Sequence, residues 1–256
     1  MGGALALAAS KSVSGKNIWL ADAFSEKAEA LASAAFANVC DAKYIALNCD
    51  YIFLGVKPQG FEALFNEIRA CLAERDKKVT LISMAAGLSV SSIEVLAACD
   101  CAVIRIMPNT PASVGEGMIL YCANEKATPD MIGDFKKILS GAGKIDEISE
   151  EKIDAASALS GCGPAFVYMF AEALADGAVE CGLAREKADL YAAQTLLGAA
   201  KLLLESGTHP GKLKDAVCSP GGTTIEGVRA LEVGAFRASV MNAVIAAYEK
   251  TLKLKK

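Results

Sequence analysis

The chain has 256 residues, a formal charge of −4 at pH 7 and 53% apolar residues, enough for one large domain or two modest ones with their own cores. The slight acidity gives no electrostatic ground for nucleic acid or an anionic membrane as partner. Nine cysteines beside a single histidine argue against a Cys/His zinc site and no metal is expected; an odd cysteine count in a chain of this size also argues against a disulfide framework. Residues 1–9 are small and apolar but carry no basic segment and are too short to span a bilayer, and no other stretch reads as a charge-free span. A soluble, cytoplasmic protein is expected.

In chain order, short apolar runs at residues 17–21, 51–56, 79–83, 102–107, 118–122 and 144–148 predict strands. Helical spacing at 25–34, 61–72, 90–97 and 129–139 separates most of them, the rhythm of βαβ units in a doubly wound parallel sheet. After Glu150 strand signals end. Helices are predicted at 153–159, 165–181, 185–205 and 236–252, with Gly182 and Gly207 as stops. The expected architecture is an α/β domain over residues 1–150 followed by an all-helical domain over 151–256. The alanine-rich helices have more apolar faces than a small bundle buries, which predicts an obligate oligomer.

The run Ser219-Pro220-Gly221-Gly222-Thr223-Thr224, between a lysine-rich helical stretch and an amphipathic one, outlines a carboxylate pocket. Its glycines bring backbone N–H groups against a small anion, and its hydroxyls stand beside a helix start. The same residues also read as a helix-to-helix turn with Thr224 as N-cap. Asp22 follows an apolar run where dinucleotide folds place the group that meets the adenosine ribose, although a strand-end aspartate is also ordinary turn chemistry. Lys57 precedes Pro58 at a strand's carboxyl end, where open α/β folds place their ligands, although a solvated lysine before a proline is its alternative reading. His209, before Pro210 at a helix start, reads as a cap, and Cys162 has no basic sequence neighbour to make it a nucleophile.

The segment 210–232 around that turn resembles the signature of the pyrroline-5-carboxylate reductase family. Asp154-Ala155-Ala156-Ser157, Ser160-Gly161-Cys162-Gly163-Pro164, residues 172–177 and residues 194–201 resemble the same family in register, as do Val56-Lys57-Pro58, Ala85-Ala86-Gly87 and Met107-Pro108-Asn109-Thr110-Pro111. The resemblance implies a Rossmann-type domain, a helical dimerisation domain interleaving two subunits, an active site shared between them, and reduction of 1-pyrroline-5-carboxylate to L-proline with NADPH or NADH. Dimers assembled into rings of ten are the family's usual form. It assigns Ser219, Gly222, Thr223 and Thr224 to the substrate carboxylate, with the Thr224 hydroxyl on the ring nitrogen as the catalytic contact. Cofactor contacts fall to Gly55, Val56, Lys57 and Pro58, to Met84, Ala85 and Ala86, and to Asn109 at the nicotinamide end.

The family fingerprint is an apolar strand and then Gly-x-Gly-x-Met-Gly, so Met1 and Gly2 match its last two positions and Gly2 is the fingerprint glycine present. The first strand and first two glycines are lacking, and a native start upstream is favoured over a truncated form. Two other functions stay open. One is a dimeric scaffold silenced by loss of the cofactor loop. The other is an oxidoreductase of a different imine or a 3-hydroxy acid, which would carry a lysine that residues 154–159 lack.

Overall fold

The structure, a computed structural model, describes residues 1–254; Lys255 and Lys256 lie outside the described residues. Two compact units divide the chain: Met1–Cys162 together with the stretch from Tyr248 onward, and Gly163–Ala247.

In chain order the first unit contains α1 (Gly2–Ala9), β1 (Trp19–Leu20), α2 (Ser25–Ala35), β2 (Asn38–Val39), α3 (Ala42–Asn48), β3 (Tyr51–Leu54), α4 (Phe61–Ala73), β4 (Thr80–Ser83) and α5 (Val90–Ala97). It continues through β5 (Ala102–Met107), β6 (Gly117–Ala123), α6 (Pro129–Ile138), β7 (Gly143–Glu147) and α7 (Glu150–Ser160). The expected strands are all present. β2 and α3 were not foreseen.

The main sheet has the order β3-β4-β5-β6-β7, and β1 pairs with β2 in a separate parallel ribbon. β3, β4 and β5 are parallel. β6 departs from the expected parallel arrangement and runs antiparallel to β5, because the connection between Met107 and Gly117 is too short for a crossover helix. β1 and β3 each present one edge that pairs with no other described strand.

Alternation along the strands sorts side chains into two cores. Leu81 and Val103 face Phe61, Phe65, Ile68 and Ile93 of α4 and α5. Ile82 and Ile104 face Leu5 of α1 and Phe135 of α6. Helices on both faces explain why β4 is buried throughout and why most of β5 is both apolar and buried.

Arg105 breaks that pattern in mid-strand. It is 1% exposed, and it donates through Nη1 to Glu150 Oε1 and through Nη2 to Asp154 Oδ1, both at 3.0 Å. Glu150 Oε1 also accepts from the Val90 N–H at 2.8 Å. Asp154 is 2% exposed. These contacts hold α7 against the sheet, so the first compact unit runs past residue 150, where the strand pattern ends, to Cys162.

The second unit is helical: α8 (Gly163–Glu180), α9 (Arg185–Ser206), α10 (Pro210–Val217), α11 (Thr223–Val233) and most of α12 (Phe236–Leu254). Gly182 and Gly207 end α8 and α9 with φ of 94° and 58°, conformations that cost glycine little. The buried cluster here consists of Ala175, Ala188 and Ala192. Tyr168, Met169, Leu190, Leu204, Val233 and Met241 are all more than half exposed. The stretch Glu150–Glu180 is long and apolar enough to cross a membrane by length and composition, and 11% of its 18-residue apolar window is buried. The sequence had suggested no such stretch, but a turn at Gly161 and Cys162 interrupts it.

Removing the Arg105 guanidinium takes an opposing charge from the buried Asp154 carboxylate. Arg105→Ala is expected to lower stability by about 3–5 kcal/mol, read as a shift of the urea unfolding midpoint at unchanged slope.

Candidate functional site

The sheet unit gathers most of the predicted cofactor residues along the carboxyl ends of its parallel strands, where open α/β sheets bind ligands. Gly2 opens α1, whose first turn receives no side-chain cap. Its leading N–H groups therefore have no intrahelical acceptor and carry the positive end of the helix dipole. Gly55, just beyond β3, lies directly against this start: a Cβ on Gly2 would sit 3.8 Å from the Gly55 Cα, and one on Gly55 3.7 Å from the Gly2 Cα. Two bare backbones at a helix start form a cradle that fits a diphosphate.

Val56, Lys57 and Pro58 continue from Gly55, with Val56 and Lys57 exposed and Pro58 opening a short 3-10 turn. After β4, Met84 is partly exposed and Ala86 exposed, whereas Ala85 is buried and its N–H donates to the Ser83 hydroxyl at 3.3 Å. Gly87 turns that loop with φ of 81°. Asp22 is exposed two residues beyond β1, and its Oδ1 accepts from the Phe24 N–H at 2.9 Å. That bond is the local turn chemistry foreseen as its alternative role, and it fixes the carboxylate at the strand end.

Asn109 is tied in at both ends of its amide. Nδ2 donates to the Ser160 carbonyl and Oδ1 accepts from the Met118 N–H, each at 2.9 Å. It joins the end of β5, the start of β6 and the end of α7, so its side chain serves the scaffold in this structure.

The helical unit holds the predicted substrate residues on one turn. Gly221 has φ of 67°, which favours glycine, and Gly222 is the N-cap of α11. Thr224 is therefore inside the helix and not the N-cap; the glycine pair ends the turn one residue before Thr223. The Gly222 N–H is spent within the turn on the Ser219 carbonyl at 3.0 Å. Thr223 and Thr224 occupy the first two helical positions, where N–H groups have no intrahelical acceptor. Their side chains and that of Ser219 are exposed. Three hydroxyls beside two open amides at the positive end of a helix can hold a small carboxylate.

His209 caps α10, its Nδ1 accepting from the Gly211 N–H at 3.1 Å. The cluster of Arg105, Glu150 and Asp154 was not foreseen as a unit, although an arginine within an otherwise apolar strand was its visible signal.

A doubly wound unit with a diphosphate cradle, joined in sequence to a helical unit with an anion-binding turn, defines the class of nicotinamide-dinucleotide oxidoreductases. Comparisons with known proteins agree. Residues 150–254 match the family model for pyrroline-5-carboxylate reductase dimerisation, and residues 1–87 match that for NADP oxidoreductase, coenzyme F420-dependent. Pyrroline-5-carboxylate reductase of Escherichia coli is 41% identical over 98% of this chain and 92% of its own length. The Synechocystis enzyme of that name is 44% identical over 81% and 76%. A solved pyrroline-5-carboxylate reductase from Coxiella burnetii superposes with a TM-score of 0.90 at 31% identity, covering 100% of this chain and 94% of that one. The Plasmodium falciparum enzyme, solved with NADP bound, gives 0.84 at 33% identity over 100% and 95%. The chain belongs to the pyrroline-5-carboxylate reductase family.

A Cβ on Gly222 would collide with the Ser219 hydroxyl, while its φ of −80° suits any residue. Gly222→Ala should therefore rotate Ser219 away without straining the backbone. Were Ser219 to hold the substrate carboxylate, losing that contact should raise the Michaelis constant for the imino acid about tenfold, with nucleotide affinity unchanged in a fluorescence titration.

Proposed function

We propose that this chain reduces 1-pyrroline-5-carboxylate to L-proline at the expense of NADPH or NADH, the last step of proline biosynthesis. The observation that carries this reading is the turn of residues 219–224, whose glycines and hydroxyls open α11 with uncapped amides.

Residues 1–150 supply the nucleotide half of the chemistry and residues 151–256 the substrate and dimerisation half. Gly2 and Gly55 would hold the diphosphate, Asp22 the adenosine ribose, and Val56, Lys57, Pro58, Met84 and Ala86 the remainder; Ala85 and Asn109 support the loops behind them. NAD(P)H, when bound, supplies the hydride. The Thr223 and Thr224 amides and the Ser219 hydroxyl fix the substrate carboxylate and so orient the C=N carbon for transfer. The Thr224 hydroxyl, which both donates and accepts, pairs with the ring nitrogen in either protonation state. The imine is basic enough to take its proton from water, so no protein acid is required.

The working particle is a dimer, further assembled into a decamer, in the cytoplasm and without membrane or nucleic acid as partner. The exposed apolar faces of α8, α9 and α12 and the mild net charge support this.

The test is oxidation of NADPH and NADH in the presence of pyrroline carboxylate, by the chain alone and with a strand and Gly-x-Gly turn added ahead of Met1. Turnover by either form is expected; turnover by neither overturns the reading. Thr224→Ala should lower kcat about a hundredfold and leave the dissociation constant for the nucleotide within twofold, by steady-state kinetics and titration. Equal loss in both would remove Thr224 from the chemistry.

A further inference from the structure

NADH and NADPH differ only at the 2′ position of the adenosine ribose, a hydroxyl in one and a phosphate in the other. Dinucleotide folds read that position with a residue about 20 places beyond the glycine-rich turn, an acid for the hydroxyl or a nearby arginine for the phosphate. Asp22 stands about that far beyond Gly2, in the loop between β1 and α2. The loop is tied to the diphosphate cradle through α2, which packs on the start of α1: a Cβ on Gly3 would lie 3.6 Å from a Leu31 methyl.

The charges gathered at this loop oppose a phosphate. Asp22 Oδ1 is held by the Phe24 N–H at 2.9 Å, and the carboxylate has no other partner among the described residues. Glu26 adds a second carboxylate in the first turn of α2. The nearest cation in the sequence, Lys27, is engaged with an aromatic ring, its Nζ 4.5 Å from the centroid of Phe24. No arginine precedes Arg69 in the chain, and Arg69 Nε is used on the Leu96 carbonyl at 3.1 Å. The start of α2 has no side-chain cap, and such an end by itself attracts anions. Two carboxylates beside it offset that attraction.

We propose, resting on the reductase function, that Asp22 makes this chain prefer NADH. A carboxylate accepts a hydrogen bond from the ribose 2′-hydroxyl. A phosphate monoester at the same place carries about two negative charges and meets like charge on Asp22 and Glu26. The Plasmodium falciparum relative was solved with NADP, so the preference belongs to this loop rather than to the shared fold.

The test is an equilibrium titration followed by nicotinamide fluorescence, without substrate, of NADH and NADPH binding to the chain alone and to the form with a strand and Gly-x-Gly turn added ahead of Met1. NADH is expected to bind about tenfold more tightly or better. Added salt should narrow the gap, because it screens the repulsion of the 2′-phosphate. Asp22→Asn keeps an acceptor for the Phe24 N–H and removes the charge, so it should shrink the ratio of the two dissociation constants about tenfold, chiefly by tightening NADPH. Asp22→Ser should act in the same direction. A residue that served the turn alone would leave that ratio unmoved in Asp22→Asn. That result, an NADPH preference in the unsubstituted chain, or binding of neither nucleotide by either form overturns the proposal. Turnover of pyrroline carboxylate, measured in parallel, keeps the two readings apart. Turnover with an NADPH preference removes the cofactor choice alone, and NADH-selective binding without turnover removes the reductase function alone.

Discussion

A guanidinium sealed inside an otherwise apolar strand is the constraint on which the rest of the first unit depends. Arg105 stands in mid-β5, and burying its charge is tolerable only because two carboxylates meet it. Both come from the first turns of α7, one helical turn apart on the same face. Glu150 divides its oxygen between Arg105 and the Val90 N–H, so one carboxylate fixes the beginnings of α5 and α7 together. α5 follows the Met84–Gly87 loop, and α7 ends at Ser160, where the Asn109 amide takes hold. The loops at the carboxyl edge of the sheet are thus held by polar ties reaching back into the core.

Both half-sites use the same physical device. α1 and α11 are among the helices whose first turns receive no side chain, and each begins beside glycine. By contrast Asp41, Ser89, Thr128 and His209 close the first turns of α3, α5, α6 and α10. An open helix start bare of Cβ atoms lets an anion approach the amides, whether diphosphate or carboxylate.

What was legible in the sequence follows from the range of the forces involved. Short apolar runs and helical spacing revealed β3 to β7 and the long helices, because burial leaves a local signature in the chain. β2 has two residues, too few for any period, and α3 has seven; the Asp41 cap, accepting from the Tyr44 N–H, was its one local sign. The direction of β6 was written in the length of the loop before it. The turn at residues 219–224 was readable because glycine and hydroxyl chemistry acts within a few residues, although the spent Gly222 N–H and the position of Thr224 inside the helix required the fold. Asn109 could not be read in full, since its partners stand 9 and 51 residues away. The same holds for Arg105, whose carboxylates are 45 and 49 residues distant. These long-range ties attach α7 to the sheet.

The second unit hides three alanines and leaves its bulky side chains uncovered. Alanine contributes little burial energy, so this bundle owes most of its cohesion to the sister subunit that the dimerisation fold provides. Its melting point is then a second-order property: dilution itself acts as a denaturant, and thermal resistance rises with the logarithm of protein concentration.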